Sequence, residues 1–133
     1  MSTIFNKIIT GEIPSYKIAE NEDFFAFLDI RPLAKGHTLV IPKKETDYIF
    51  DLQDAELSGL ILFAKYVAHA IKKVIPCTKI GLCVIGIEVA HAHIHLVPIN
   101  AVSDLNFSNP KLELTSEEMH DIAYSIRKEL ENL

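Results

Sequence analysis

No apolar run in the 133 residues is long enough to cross a bilayer. No block of lysines and arginines occurs either, and the formal net charge is −5. A nucleic-acid polymer is therefore an unexpected partner, because binding one requires neutralising many phosphates. A small anionic ligand stays allowed, since a few local donors suffice. Cysteine is scarce: Cys77 and Cys83 are too few for a disulfide framework and lack zinc spacing. Their apolar flanks read as those of buried small hydrophobes. Met1 to Lys7 shows no basic run ahead of an apolar one, the pattern of a secretory signal. Repeats, low-complexity tracts and linkers are absent as well. The expectation is a soluble, cytoplasmic chain without membrane association, forming a single domain over 1–133. At 49% hydrophobic residues it can bury a core.

The periodicities divide the chain cleanly. Apolar groups at Ile4, Phe5, Ile8 and Ile9 follow helical spacing, and Gly11 is a stop. Strands are expected over Ser15 to Ala19 and Phe24 to Leu28, with Glu20 to Asp23 as the hairpin turn. Asp29 to Gly36 is a loop, punctuated by Pro32 and Gly36. His37 to Pro42 reads as a third strand. Asp51 and Asp54 open a long helix whose apolar stripe is Leu57, Leu60, Ile61, Ala64, Val67, Ala68 and Ile71. Two more strands, Ile80 to Ile85 and His91 to Ile99, are joined by residues 86–90. Asn100 to Leu114 is irregular. Thr115-Ser116-Glu117-Glu118 is a capping box opening a C-terminal helix at about 115–131. The fold class is α+β: a five-stranded, mainly antiparallel sheet with one long central helix and a C-terminal helix, the helices packed on one face.

Within the fifth strand, His91-Ala92-His93-Ile94-His95-Leu96 alternates strictly. Three of the six histidines then share one face, roughly 7 Å apart at each step, over a core-facing Ala92, Ile94 and Leu96. Such a row can be a polar strand face, a metal site, or a catalytic site. Solvated faces normally use Lys, Glu, Thr and Ser. A two-histidine metal site also wants a carboxylate or cysteine, and none is adjacent on this face. Neutral imidazole is a good nucleophile near neutral pH, and attack on phosphorus gives a phosphorylated imidazole that water can hydrolyse. One ring nitrogen must then face phosphorus while the other is held as N–H by an acceptor. The middle residue, His93, is best placed, and its neighbours can donate to phosphate oxygens or protonate a leaving group. Gly86 permits a tight turn toward the row, and amides near Val89 can point at phosphate oxygens.

The run His91-Ala92-His93-Ile94-His95-Leu96-Val97 resembles the signature of the histidine-triad (HIT) family, His-φ-His-φ-His-φ-φ with φ apolar. Gly11-Glu12-Ile13-Pro14, Phe27-Leu28-Asp29-Ile30-Arg31-Pro32 and Gly36-His37-Thr38-Leu39-Val40-Ile41-Pro42 are similar to the family's N-terminal half. The likeness covers about residues 4–99, the expected core, and is nearest the small Hint-like branch. It implies that His93 is a nucleophile forming a nucleotidyl-imidazole at an α-phosphate, with His91, His95 and His37 orienting it, contacting phosphate and assisting the leaving group. It implies that Asp29 binds ribose hydroxyls and that Ile4, Phe5, Ile8, Phe27 and Ile30 clamp a purine base. The implied ligand is AMP-like, the assembly a homodimer joined through the long helix and the strand near Ile80 to Ile85, and no cofactor is implied. The activity would be hydrolysis of a phosphoramidate or a dinucleoside polyphosphate.

Departures from the pattern keep an alternative in view. Gly86-Ile87-Glu88-Val89 replaces a Gly-Gln run, so an alkyl group stands where an amide donor is usual. The alternative is a purine-nucleotide-binding module with weak or no catalysis. Zinc-binding members carry Cys-x-x-Cys where this chain has Thr3 and Asn6, and His where it has Glu45; no structural metal is expected.

Overall fold

Residues 3–132 are described by a computed structural model. Met1, Ser2 and Leu133 lie outside them, and with them part of the stretch read for targeting signals and both ends of the expected 1–133 domain.

The elements run α1 (Ile4–Thr10), β1 (Lys17–Glu20), β2 (Phe24–Leu28), β3 (Thr38–Pro42), α2 (Asp54–Val74), β4 (Lys79–Cys83), β5 (Ile94–Ile99) and α3 (Ser116–Glu131). Short 3-10 turns occur at Ile49–Asp51 and Val102–Asp104, so Asp51 precedes the long helix instead of opening it. The sheet order is β1-β2-β3-β5-β4, and every neighbouring pair is antiparallel. The α+β class and the five-stranded antiparallel sheet are as expected.

Strand alternation explains how the sheet carries two different faces. Phe24, Ala26 and Leu28 of β2, Val40 of β3, and Ile94 and Leu96 of β5 pack with Leu60, Ala64, Val67 and Ile71 of α2 and with Met119, Ala123 and Ile126 of α3. The intervening residues Phe25, Phe27, Leu39 and Ile41 pack on Phe5 of α1. Both faces of β2 are thus covered, and all five of its residues are buried. As expected, α2 and α3 share one face, and the short α1 occupies the other. A seven-residue helix with only Phe5 buried gave little sign of which layer it would join.

The fifth strand is also shorter than expected. It begins at Ile94, where its pairing with β3 ends at Val40 and its pairing with β4 ends at Cys83↔His95. Upstream, the His91 N–H donates to the Val89 carbonyl (2.9 Å) and the Ala92 N–H to the Thr46 carbonyl (2.7 Å). Residues 91–93 are held by loops, not by a ladder. The expected strands at Ser15 and Ile85 are trimmed likewise, to Lys17–Glu20 and Lys79–Cys83. On α2 the buried stripe includes Ala70, while Ile61 is 43% exposed. Ile61 follows Leu60 around the helix and turns off the core toward an open groove beside β4.

Gly36 joins the Asp29 loop to β3 and has φ +89°, a left-handed conformation. A Cβ there would sit 2.8 Å from Cγ1 of Ile75. Gly36→Ala therefore costs about 2 kcal/mol from backbone strain and crowding together. A urea-unfolding midpoint unchanged from the parent would contradict this.

Candidate functional site

Four imidazoles converge where β3 and the start of β5 lie side by side. His37, just before β3, is 1% exposed; His91, His93 and His95 are 0%, 7% and 8% exposed. Leu39↔His95 pairing puts His95 on the α1 face of the sheet, beside His37. The His93 and His95 ring centroids are 4.9 Å apart, with His95 in β5 and His93 just before it.

Each ring's proton can be assigned from its partner. Nδ1 of His93 lies 2.7 Å from the His91 carbonyl oxygen. A carbonyl only accepts, so Nδ1 carries the hydrogen and a neutral His93 presents a bare Nε2 lone pair. The Leu33 backbone N–H donates to Nδ1 of His37 (3.0 Å), which puts the His37 hydrogen on Nε2. That Nε2 is 3.0 Å from Nδ1 of His95, so it donates there and the His95 hydrogen is on Nε2. A bare nitrogen on His93 and an N–H on His95 thus occupy adjacent rings. His91 differs: Nε2 donates to the Pro42 carbonyl (2.8 Å), and Nδ1 meets the Thr3 hydroxyl (3.0 Å). Both nitrogens of His91 are thus engaged by protein groups.

Burial dominates the electrostatics. It pushes His37 and His95 down from 6.5 to about 4, so both are neutral near pH 7. His91 is lowered mainly by burial, against the opposing pull of the Pro42 carbonyl and Glu45. Burial raises Asp29 above the usual carboxylate range, although its Oδ1 accepts from the Arg31 N–H (2.9 Å). Oδ2 of Asp29 is 3.7 Å from Nε2 of His37. Donor atoms of Asp29, His37 and His95 fall within 4.8 Å of one another. The proton assignment opposes a cation there, because His37 Nε2 carries its hydrogen toward His95 instead of a lone pair.

The expected base-clamp residues divide. Phe5 and Phe27 are buried and meet edge-to-face at 5.6 Å, and the Phe5 ring lies 5.0 Å from that of His93. Ile8 is half-buried against the same cluster, as is Val89. Ile4 and Ile30 are exposed at 49% and 73%. Gly86 has φ +70° and lines the apolar groove together with Ile85 and Ile87.

Residues 10–102 match the model of the HIT domain. The chain belongs to the HIT family. An adenosine 5'-monophosphoramidase of Schizosaccharomyces pombe is 33% identical over 132 residues, covering 98% of this chain and 99% of its own. One from Saccharomyces cerevisiae is 41% identical over 96 residues, covering 71% and 61%. A Hit-like protein from Bartonella henselae superposes with a TM-score of 0.83 at 32% identity, over 96% of both chains.

Three residues at this HIT site had escaped the sequence. Phe107 lies edge-to-face on His95 (4.8 Å), and Lys111 Nζ is held by the Phe107 carbonyl (2.6 Å) and contributes to lowering His37. Leu112 N–H ties this segment to Pro32 (2.8 Å). Both residues lie in irregular chain with no periodicity to mark them. The sequence marks Thr3 only as a position where zinc-binding members carry a cysteine.

Between pH 6.5 and about 4 the unfolded chain binds protons at His37 and His95 that the folded chain does not. Their contribution is intact above about pH 6.5 and is lost as pH falls toward 4. Asp29, raised, acts in the opposite sense. Going from pH 7 to pH 5 should lower the unfolding free energy by about 2–4 kcal/mol. Urea titrations at both values check it, and a flat response excludes the buried neutral pair.

Proposed function

We propose that this HIT protein is a nucleotidyl hydrolase that cleaves AMP derivatives at the α-phosphate through His93. The bare Nε2 of His93, opposite an Nδ1–H held by the His91 carbonyl, is the observation that carries this reading. The Nε2 lone pair attacks phosphorus, and the bond to the leaving nitrogen or oxygen breaks with its electron pair. His95 Nε2–H is the donor next to that centre, kept pointing outward by the His37 hydrogen bond to the far side of its ring. The leaving group takes a proton from solvent as its bond breaks. Water then attacks the nucleotidyl-imidazole: its oxygen bonds phosphorus, its proton returns to solvent, and the bond to His93 breaks back to the Nε2 lone pair. Asp29, held by the Arg31 N–H at the mouth of the loop, is assigned to the ribose hydroxyls. Phe5, Phe27, Ile4, Ile8 and Ile30 are assigned to the base; the Gly86 to Val89 stretch is assigned to the phosphate. The similarity to two adenosine 5'-monophosphoramidases favours an amine leaving group.

A nucleotide-binding module with slow chemistry is the second reading. It is favoured by Ile87, 84% exposed, beside exposed Glu88 in the phosphate stretch: neither supplies a donor to an anion. Losing one such donor costs about 10²–10³ in rate. With adenosine 5'-phosphoramidate as substrate, His93→Asn should lower kcat by at least about 10⁴-fold. Unchanged turnover in that variant removes His93 as nucleophile. Saturable AMP binding with no parental turnover selects the second reading.

The proposal includes a homodimer. Edge strand β4 and α2 flank an apolar groove of about 670 Å³ lined by Tyr48, Phe50, Ile61, Leu82, Ile85 and Ile87. All six side chains are substantially exposed, a patch typical of an interface. Leu82→Glu should convert a dimer to a monomer in sedimentation velocity; a parental monomer refutes the assembly.

A further inference from the structure

The Thr3 hydroxyl is bonded into the histidine row from 88 residues away in sequence. Thr3 is the N-cap of α1, and its capping box is complete: Asn6 N–H approaches Oγ1 (3.3 Å), and Thr3 N–H donates to Asn6 Oδ1 (2.9 Å). The same N–H reaches Glu45 Oε1 (3.1 Å), which ties the cap to the loop after β3. That loop's Thr46 carbonyl accepts the Ala92 N–H (2.7 Å). The cap, the loop and residues 91–93 thus form one hydrogen-bonded unit.

Counting protons in this unit assigns a role to the hydroxyl. Thr3 Oγ1 has one hydrogen and two acceptors within 3.0 Å, Asn6 Oδ1 and His91 Nδ1. Asn6 Oδ1 already takes the Thr3 N–H. His91 Nε2 must carry that ring's hydrogen, because it faces the Pro42 carbonyl. A neutral, fully buried His91 therefore has a bare Nδ1 whose donor is the Thr3 hydroxyl. Leaving that nitrogen unpaired in the interior is costly. The ring would flip or exchange its hydrogen, and either change disturbs residue 91, whose carbonyl holds His93 Nδ1–H. Phe5, two residues after Thr3, lies 5.6 Å from the His91 ring and 5.0 Å from the His93 ring, so the cap also sets the wall beside the nucleophile.

We infer that Thr3 is a positioning residue for the reaction: its hydroxyl fixes the orientation of the His91 ring, whose tautomer the Pro42 carbonyl sets, and through the His91 carbonyl it aims His93. The kinetic part of this inference rests on the nucleotidyl-hydrolase reading; the ring-nitrogen part does not.

The experiment compares Thr3→Val, similar in shape without the hydroxyl, with Thr3→Ser, which keeps it. ¹⁵N-detected NMR of the histidine rings should show His91 as the Nε2–H form and His93 as the Nδ1–H form in the parent and in Thr3→Ser. In Thr3→Val the His91 Nδ1 signal should lose its hydrogen-bond shift and the His93 Nδ1–H form should decline. With adenosine 5'-phosphoramidate, Thr3→Val should lower kcat roughly 10- to 100-fold, with KM within about twofold, and Thr3→Ser should restore it. Parental ring signals and kcat in Thr3→Val overturn the inference. So does equal loss in Thr3→Ser, which would point to packing. If Thr3→Val does not fold, an Nδ1–H His91 in the parent is sufficient to overturn it. A parent with no turnover defeats the hydrolase reading, and the ring signals still decide the role of Thr3.

Discussion

A neutral imidazole has one hydrogen and two nitrogens, and in this protein a backbone group decides which nitrogen holds it. The His91 carbonyl fixes His93, the Pro42 carbonyl fixes His91, and the Leu33 N–H fixes His37 and through it His95. Backbone groups cannot change role as a hydroxyl can, so the assignment is as rigid as the fold. Burial reinforces it by keeping His37 and His95 neutral, since a second proton on either would break the pattern. A lone pair and a donor N–H on adjacent rings follow from this constraint.

The scaffold exists to hold those carbonyls and amides in place. β3 and β5 are interior strands of the sheet, flanked by β2 and β4, so the rings stand over backbone with little freedom. On the opposite face Ala92, Ile94 and Leu96 are packed in the core beneath α2 and α3. On the ring face Phe5 and Phe107 contact His93 and His95 respectively, which restricts ring motion without consuming a ring nitrogen. Gly36 lets the Asp29 loop return to β3 tightly enough for Asp29 and His37 to meet.

The apolar groove and the histidine row share one stretch of chain. Ala92 lies between two of the histidines and also borders the apolar groove beside β4. Pressure on that groove would bear on the backbone that carries the rings. The exposed apolar side chains there belong to α2, β4 and the loops after β3 and β4, and the same β3–α2 loop holds Ala92 through Thr46.

Local patterning determined much of this protein. Period-two alternation separated His93 and His95 from Ile94 and Leu96, helical spacing marked α2 and α3, and Thr115 with Glu118 marked the start of α3. Those features depend on neighbours a few residues away, and so they are legible in the chain. Tertiary structure alone decided that His91 is sealed while His93 keeps a free nitrogen, although both occupy equivalent places in the motif. It also decided that Ile61 faces a groove, that α1 lies across the sheet from the other helices, and that Thr3, Phe107 and Lys111 reach the histidines. The reason is that a buried ring's proton is set by whichever backbone group the fold brings to it. The Pro42 carbonyl lies 49 residues from His91 and the His37 ring 58 from His95, beyond anything a local pattern encodes, whereas the groups that set His93 and His37 lie two and four residues away.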